Sequence, residues 1–286
     1  MVYLSKNLFD ALSEFVAMPD PNTLSITIIP NLHRQTLQAM RDLGIFTIAD
    51  LTEMTAADLD RLPRVGKATA QHIRQCVEAL CQGEPLWLKA PDARAADDGI
   101  FFDVETDAMG EIWSIGWKAP SDAARCVVLD PNRLAEHRLL EDGTLVFTVP
   151  TRLAMWEMLH AVCVQHPSVP LYHWSPFEVG IVKKAGLPAP TAEISKRLLD
   201  LAKVVSQSVV LPIAKRRRGL KEVSSYLGFR WAEHMADGMG WWHARNHYEA
   251  WLVYGDLEGL TWACAYQRSD VDATYHVWSW LRQQNR

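Results

Sequence analysis

The spacing of the apolar residues changes at Gly99, and that change divides the chain into two kinds of structure. Before it the period is helical. Leu37, Met40 and Leu43 recur on one face until Gly44, which suits a helix C-terminus. Thr47 can cap the next helix, and Thr55 with Asp58 three residues on forms an approximate capping box. Leu62-Pro63-Arg64-Val65-Gly66-Lys67-Ala68 makes a tight connection into a helix carrying Ala70, Ile73, Val77 and Leu80 on one side. Residues 83–98, GEPLWLKAPDARAADD, have no period and read as a linker. After Gly99 the chain reads as strands: Ile100 to Glu105, Ile112 to Trp117 and Cys126 to Leu129. A helix from about Arg152 to Gln165 follows, carrying Leu153, Trp156, Leu159 and Cys163. Val169 to Trp174 is another strand, and the rest is mainly helix. A run of strands followed by a strand embedded among helices implies an α/β or α+β domain with a mixed sheet. The expected organisation is a helical domain over 1–82, a linker over 83–98 and a mixed α/β domain over 99–286.

Composition narrows the function classes. Of 286 residues 49% are hydrophobic, so there is apolar surface for a core, and disorder or low complexity is excluded. No apolar run approaches the roughly 18 to 20 residues that span a bilayer, so no membrane partner is expected. The start, MVYLSKNLFDALSEF, mixes charges among its apolar residues and does not read as a secretory signal. Five cysteines without framework spacing point to a reducing, cytoplasmic setting. Cys76 and Cys81 read as buried thiols. The net charge of −5 argues against a basic nucleic-acid coat protein, but a whole-chain sum conceals local runs such as Lys215-Arg216-Arg217-Arg218. That run reads either as a solvated loop or as a clamp on a nucleic-acid backbone.

Three features carry chemistry. Asp103 and Glu105 lie two apart at the end of an apolar strand and so project to one side. Paired carboxylates repel unless they are hydrated or neutralised by a divalent cation, so the pair fits either a solvated strand end or a Mg²⁺ or Mn²⁺ site. His173-Trp174-Ser175-Pro176-Phe177-Glu178 leads from a strand into a helix, where Glu178 either answers the helix dipole or sits in a site at the strand's C-terminal edge. Tyr266 and Asp270 are i and i+4 on a helix, a pair able to position a water, or simply a polar helix start. Trp241 and Trp242, with Tyr248 and Trp251 at helical spacing, favour packing over base stacking. His234, His243 and His247 lack any zinc-binding pattern.

In that order the three features resemble the DEDD (DnaQ-like) exonuclease superfamily, which has a ribonuclease H-like fold. Asp103 and Glu105 match its first motif, His173 to Glu178 its second, and Tyr266 with Asp270 its third in the tyrosine form. A closer resemblance is to predicted RecB-like nucleases whose C-terminal part is a ribonuclease H-like domain preceded by helix-hairpin-helix elements. It rests on Gly99–Thr106, on Tyr172–Trp174 with Phe177 and Glu178, on Gly219–Val223 with Leu227–Phe229, and on Tyr266–Thr274. Those larger relatives carry a further nuclease domain upstream, so the chain reads as a stand-alone version of their C-terminal half. Two positions depart from the motif: Glu178 stands where Asp is usual, and Trp174 where Asn is common. Asp200 is the alternative fourth carboxylate, or a helix-surface acid.

The resemblance implies a metal-dependent nuclease that hydrolyses phosphodiester bonds in DNA or RNA, 3′ to 5′, with two Mg²⁺ or Mn²⁺ ions. Asp103, Glu105, Glu178 and Asp270 would be ligands, and Tyr266 would help Glu105 orient the water. Leu62 to Ala68 resembles a helix-hairpin-helix connection. Gly66, Lys67 and Arg64 would then meet a phosphate, although Arg64 replaces a glycine and is strained if that position needs a positive φ. A second expectation is a degenerate nuclease fold that only binds nucleic acid or a partner protein.

Overall fold

The computed structural model describes residues 20–284 except 93, 94, 96, 133, 134, 141, 142, 217, 233, 234 and 236–239. In chain order its main elements are α1 (Arg34–Asp42), α2 (Ile48–Thr52), α3 (Ala56–Asp60), α4 (Lys67–Gln82), β1 (Leu86–Trp87), β2 (Ile100–Thr106), β3 (Ile112–Lys118), β4 (Arg125–Leu129), β5 (Glu136–Leu139), β6 (Leu145–Val149) and α5 (Arg152–Gln165). There follow β7 (Leu171–His173), α6 (Pro176–Ala185), β8 (Leu198–Asp200), α7 (Leu201–Ser208), β9 (Val209–Val210), α8 (Leu220–Tyr226), α9 (Gly240–Tyr254) and α10 (Leu257–Gln284). The chain divides into two units: residues up to Leu88 with Val209–Arg218, and Lys89–Ser208 with Gly219–Arg286.

In the first unit short helices are started by their caps. Thr47 and Asp50 form a capping box at α2, and Thr55 and Asp58 another at α3. Met40, Ile48, Leu51, Leu59, Ile73 and Leu80 meet in one buried cluster. Ala70, Ile73, Val77 and Leu80 of α4 are all buried, as their spacing requires. Cys81 is exposed, contrary to expectation, whereas Cys76 is buried. Five residues on a helix turn about 500°, so the two thiols cannot share a face. The stretch read as linker contributes β1, which pairs antiparallel with β9, and Val210 joins the first unit's core.

The second unit is built on a seven-stranded mixed sheet in the order β5-β6-β4-β3-β2-β7-β8. β2 runs antiparallel to β3 and parallel to β7, which is parallel to β8. The C-terminal ends of β2, β7 and β8 therefore share one edge. Ile100, Phe102 and Val104 of β2 pack in the cluster that holds Trp156 and Leu159 of α5. On the opposite face Trp113 and Val128 pack with Tyr248 and Trp251 of α9 and with Leu260 and Ala263 of α10. Both faces are thus covered by helices, which explains why the central strands β2 and β3 are buried along most of their length.

β5, β6 and β8 are strands that the sequence reading did not find. Leu153 is exposed, since it lies in the first turn of α5 beyond the sheet-facing stripe. Tyr266 and Asp270 fall well inside α10 rather than at a helix start, so the dipole does not account for Asp270. Among the described residues no helix is long and apolar enough to cross a membrane.

Candidate metal centre

Alternation along β2 sets the first two acids. Phe101 meets Trp278 of α10, and Asp103 and Glu105 share its parity, so both side chains face α10. A register shift interrupts the β2–β3 pairing between Glu105, opposite Ser114, and Thr106, opposite Ile112. Such irregularities re-aim side chains at strand ends.

Gly116 lets α10 come close enough to complete the site. It is the cross-strand neighbour of Asp103, and a Cβ there would lie 2.6 Å from Gln267 Cγ. With no side chain in the way, Gln267 Nε2 donates to Asp103 Oδ2 at 2.6 Å. One helical step places Asp270 on the same face, and the Tyr266 hydroxyl donates to its carboxylate. Ligand oxygens of Asp103, Glu105 and Asp270 all lie within 4.8 Å of one another.

Glu178 arrives from the first turn of α6 and is buried. Pro176 starts that helix, and Ser175 caps it by accepting from Phe177 N at 3.2 Å. Ser175 Oγ also donates to Glu178 Oε2 at 3.1 Å, and His173 Nδ1 lies 3.4 Å from the same oxygen. The negative charge of Glu178 acts on Asp103, Glu105 and Asp270 alike.

Burial and mutual repulsion dominate the electrostatics. Burial, and then Asp270, Glu105 and Glu178, raise the Asp103 carboxyl well above its ordinary range. Glu105 is raised well above its range too, by burial first and Asp270 next, against an opposing pull from Lys221. Asp270 is raised to about 7 by burial, again opposed by Lys221. Burial and then the Asp270 charge push the Tyr266 hydroxyl up as well. Buried oxygen donors that repel one another fit a hard divalent cation, so this cluster can hold a metal ion.

The other residues singled out in the sequence lie elsewhere. Asp200 pairs in register with His173, and its Oδ1 accepts from Lys203 N at 3.0 Å, at the start of α7. It lines a cleft with His173, Lys89, Lys203 and Gln207 and is not one of the clustered acids. Arg64 has φ 63°, the left-handed conformation that its glycine-like position raised as a concern, and Nε donates to Gln35 Oε1 at 3.3 Å. Gly66 and Lys67 are exposed, and no side chain caps the start of α4. Lys215 and Arg216 are exposed, with Arg216 Nη2 donating to Leu32 O at 3.3 Å. Arg218 instead turns inward, donating from Nη1 to Leu211 O at 3.0 Å and lying beside Cys76. Arg217 and His234 lie outside the described residues.

His243 and His247 pack against Trp262, and no histidine joins a metal-ready cluster among the described residues. Trp241 and Trp242 are exposed, contrary to the packing reading. They follow Gly240 by one and two residues, about 100° and 200° round the helix from the buried stripe of Gly240, Ala244, Tyr248 and Trp251. Sequence reasoning also missed Gln267 and Lys221 as site neighbours. Gln267 carried a signal, being three residues before Asp270 on one helix; Lys221 stood within the Gly219–Val223 stretch of the resemblance, but no spacing tied it to the acids.

Compared with family models, residues 100–282 match the RNase_H superfamily. No curated protein matches the chain.

Proposed function

The chain belongs to the RNase_H superfamily, and on that footing we propose that it is a metal-dependent nuclease acting as a 3′-5′ exonuclease on single-stranded DNA or RNA. The observation that carries this is the convergence of Asp103, Glu105 and Asp270 from two distant elements into one buried oxygen cluster. The reading assigns Asp103, Glu105, Glu178 and Asp270 to two Mg²⁺ or Mn²⁺ ions, in the DEDD arrangement with tyrosine. Bound divalent metal would activate a water and stabilise the charge developing on the phosphate oxygens. Tyr266, held against Asp270, would orient the nucleophile together with Glu105. Gln267 fixes the rotamer of Asp103 through its hydrogen bond, and Ser175 does the same for Glu178, beside which the His173 ring is packed. On this reading the connection around Arg64, Gly66 and Lys67 is a helix-hairpin-helix that contacts phosphates through the open amides of α4. Lys215, Arg216 and Arg217 add backbone charge contacts.

The test is a labelled single strand incubated with Mg²⁺, Mn²⁺ or chelator. Wild-type protein is expected to shorten it from the 3′ end only with metal. Asp103→Ala should lose at least ~10²-fold in rate while keeping its far-UV circular dichroism. Full activity in Asp103→Ala would refute the site. Binding without cleavage in either metal would support a degenerate nuclease fold instead.

A further inference from the structure

Lys221 is a cation built into an acidic site. It sits in the first turn of α8 and reaches the metal cluster from outside the strands and helix that supply the acids. Its Nζ lies 5.0 Å from the centroid of the Tyr266 ring and 5.4 Å from that of Trp231. The same atom donates to Met235 O at 2.6 Å. Gly240 leaves the room: a Cβ there would lie 2.9 Å from Lys221 Nζ and 2.3 Å from Tyr266 Cε2. The ammonium is therefore held in one place between two aromatic faces and a carbonyl. From there its charge acts on both Glu105 and Asp270.

A charge count gives that placement a purpose. Four carboxylates and two divalent ions cancel, which leaves the negative charge of a bound phosphodiester, and the further charge developed during attack, uncompensated. We propose that Lys221 is a positioning residue of the nuclease site. Its ammonium holds the Tyr266 ring against Asp270 and supplies fixed positive charge for the phosphate, at the expense of metal affinity. The role in cleavage rests on the nuclease reading; the effect on metal affinity does not.

The two parts predict opposite signs, which a merely structural lysine would not produce. The experiment uses the full chain and its Lys221→Met, Lys221→Gln and Lys221→Arg variants. Mn²⁺ alone is titrated without nucleic acid, with free Mn²⁺ read by electron paramagnetic resonance. Cleavage of a labelled single strand is measured at saturating Mn²⁺. Lys221→Met is expected to bind Mn²⁺ ~10-fold tighter, because a nearby like charge is gone, and to cleave ~10²-fold slower. Lys221→Arg, which keeps the charge, should hold Mn²⁺ affinity within about 3-fold of wild type and recover part of the rate. Unchanged or weaker Mn²⁺ binding by Lys221→Met overturns the proposal, and so does undiminished cleavage. If Lys221→Met does not fold, Lys221→Gln, which retains a donor for the Met235 carbonyl, is judged by the same criteria. If neither neutral variant folds, Lys221 belongs to the fold and the proposal is lost. A wild-type chain that does not cleave at all would sink the nuclease reading, while the Mn²⁺ titration would still decide the effect on affinity.

Discussion

Ser175 holds φ 119° and ψ 165°, a conformation that glycine alone enters cheaply. The serine is retained at a strained position where its hydroxyl both caps α6 and grips Glu178. Two substitutions separate these contributions. Ser175→Ala keeps the strain and loses the cap, so it should destabilise by about 1–2 kcal/mol. Ser175→Gly also loses the cap but relieves the strain, so it should be less destabilising than alanine, with both variants slower in cleavage because Glu178 loses its anchor. Denaturant melts of the two variants check the order, and alanine at least as stable as glycine would mean the backbone is not strained. At this scale the sequence was informative where a local period sets direction. Asp103 and Glu105 share a face because strands alternate, and Tyr266 and Asp270 share one because helices repeat every 3.6 residues. Lys221 could not be found this way, since only the tertiary fold brings it to Tyr266.

Gly116 shows the same limit at the scale of elements. As a residue it reads as a weak point in a strand. In the sheet it is the gap through which α10 reaches Asp103. Gly116→Ala should therefore push α10 outward, costing about 1–3 kcal/mol from overpacking and loosening the Gln267–Asp103 hydrogen bond. The expected result is a lower thermal midpoint together with weaker Mn²⁺ binding; a variant with both at wild-type values would show that α10 does not need the gap. The elements that were legible were long or capped. α5 was placed to the residue, and the caps at Thr47 and Thr55 marked true helix starts. Those that were not legible had weak patterns for physical reasons. β8 is three residues long, too short for any period, and β5 is largely exposed on the sheet's edge, where no apolar face is required. Asp200, which from sequence reads as either a fourth carboxylate or a helix-surface acid, ends β8 and meets the start of α7.

For the whole molecule, the metal-free centre is a standing instability, and pH exposes it. The formal charge of −5 counts every acid as ionised, yet Asp103, Glu105 and Asp270 all have their pKa raised, first by burial and then by neighbouring acids, Glu178 among them in each case. Unfolded, these groups lose their protons near 3.8 to 4.5, whereas folded Asp270 does so at about 7 and the other two are shifted in the same direction. Between those values the native state binds more protons than the unfolded state, so stability falls as pH rises. Their contribution is complete below about pH 4 and is lost progressively through pH 7 and above. A divalent ion held by the ionised native cluster would reverse the penalty, adding stability by mass action. Without metal, the thermal midpoint of wild type relative to Asp103→Asn should therefore fall between pH 5 and pH 8, by at least ~3 °C. Saturating Mn²⁺ at pH 8 should raise wild type above the variant, because asparagine cannot supply the missing charge. Differential scanning fluorimetry at the two pH values, with and without Mn²⁺, makes the comparison. A difference between the two proteins that is independent of both pH and metal would mean that Asp103 is not part of a strained, metal-seeking cluster.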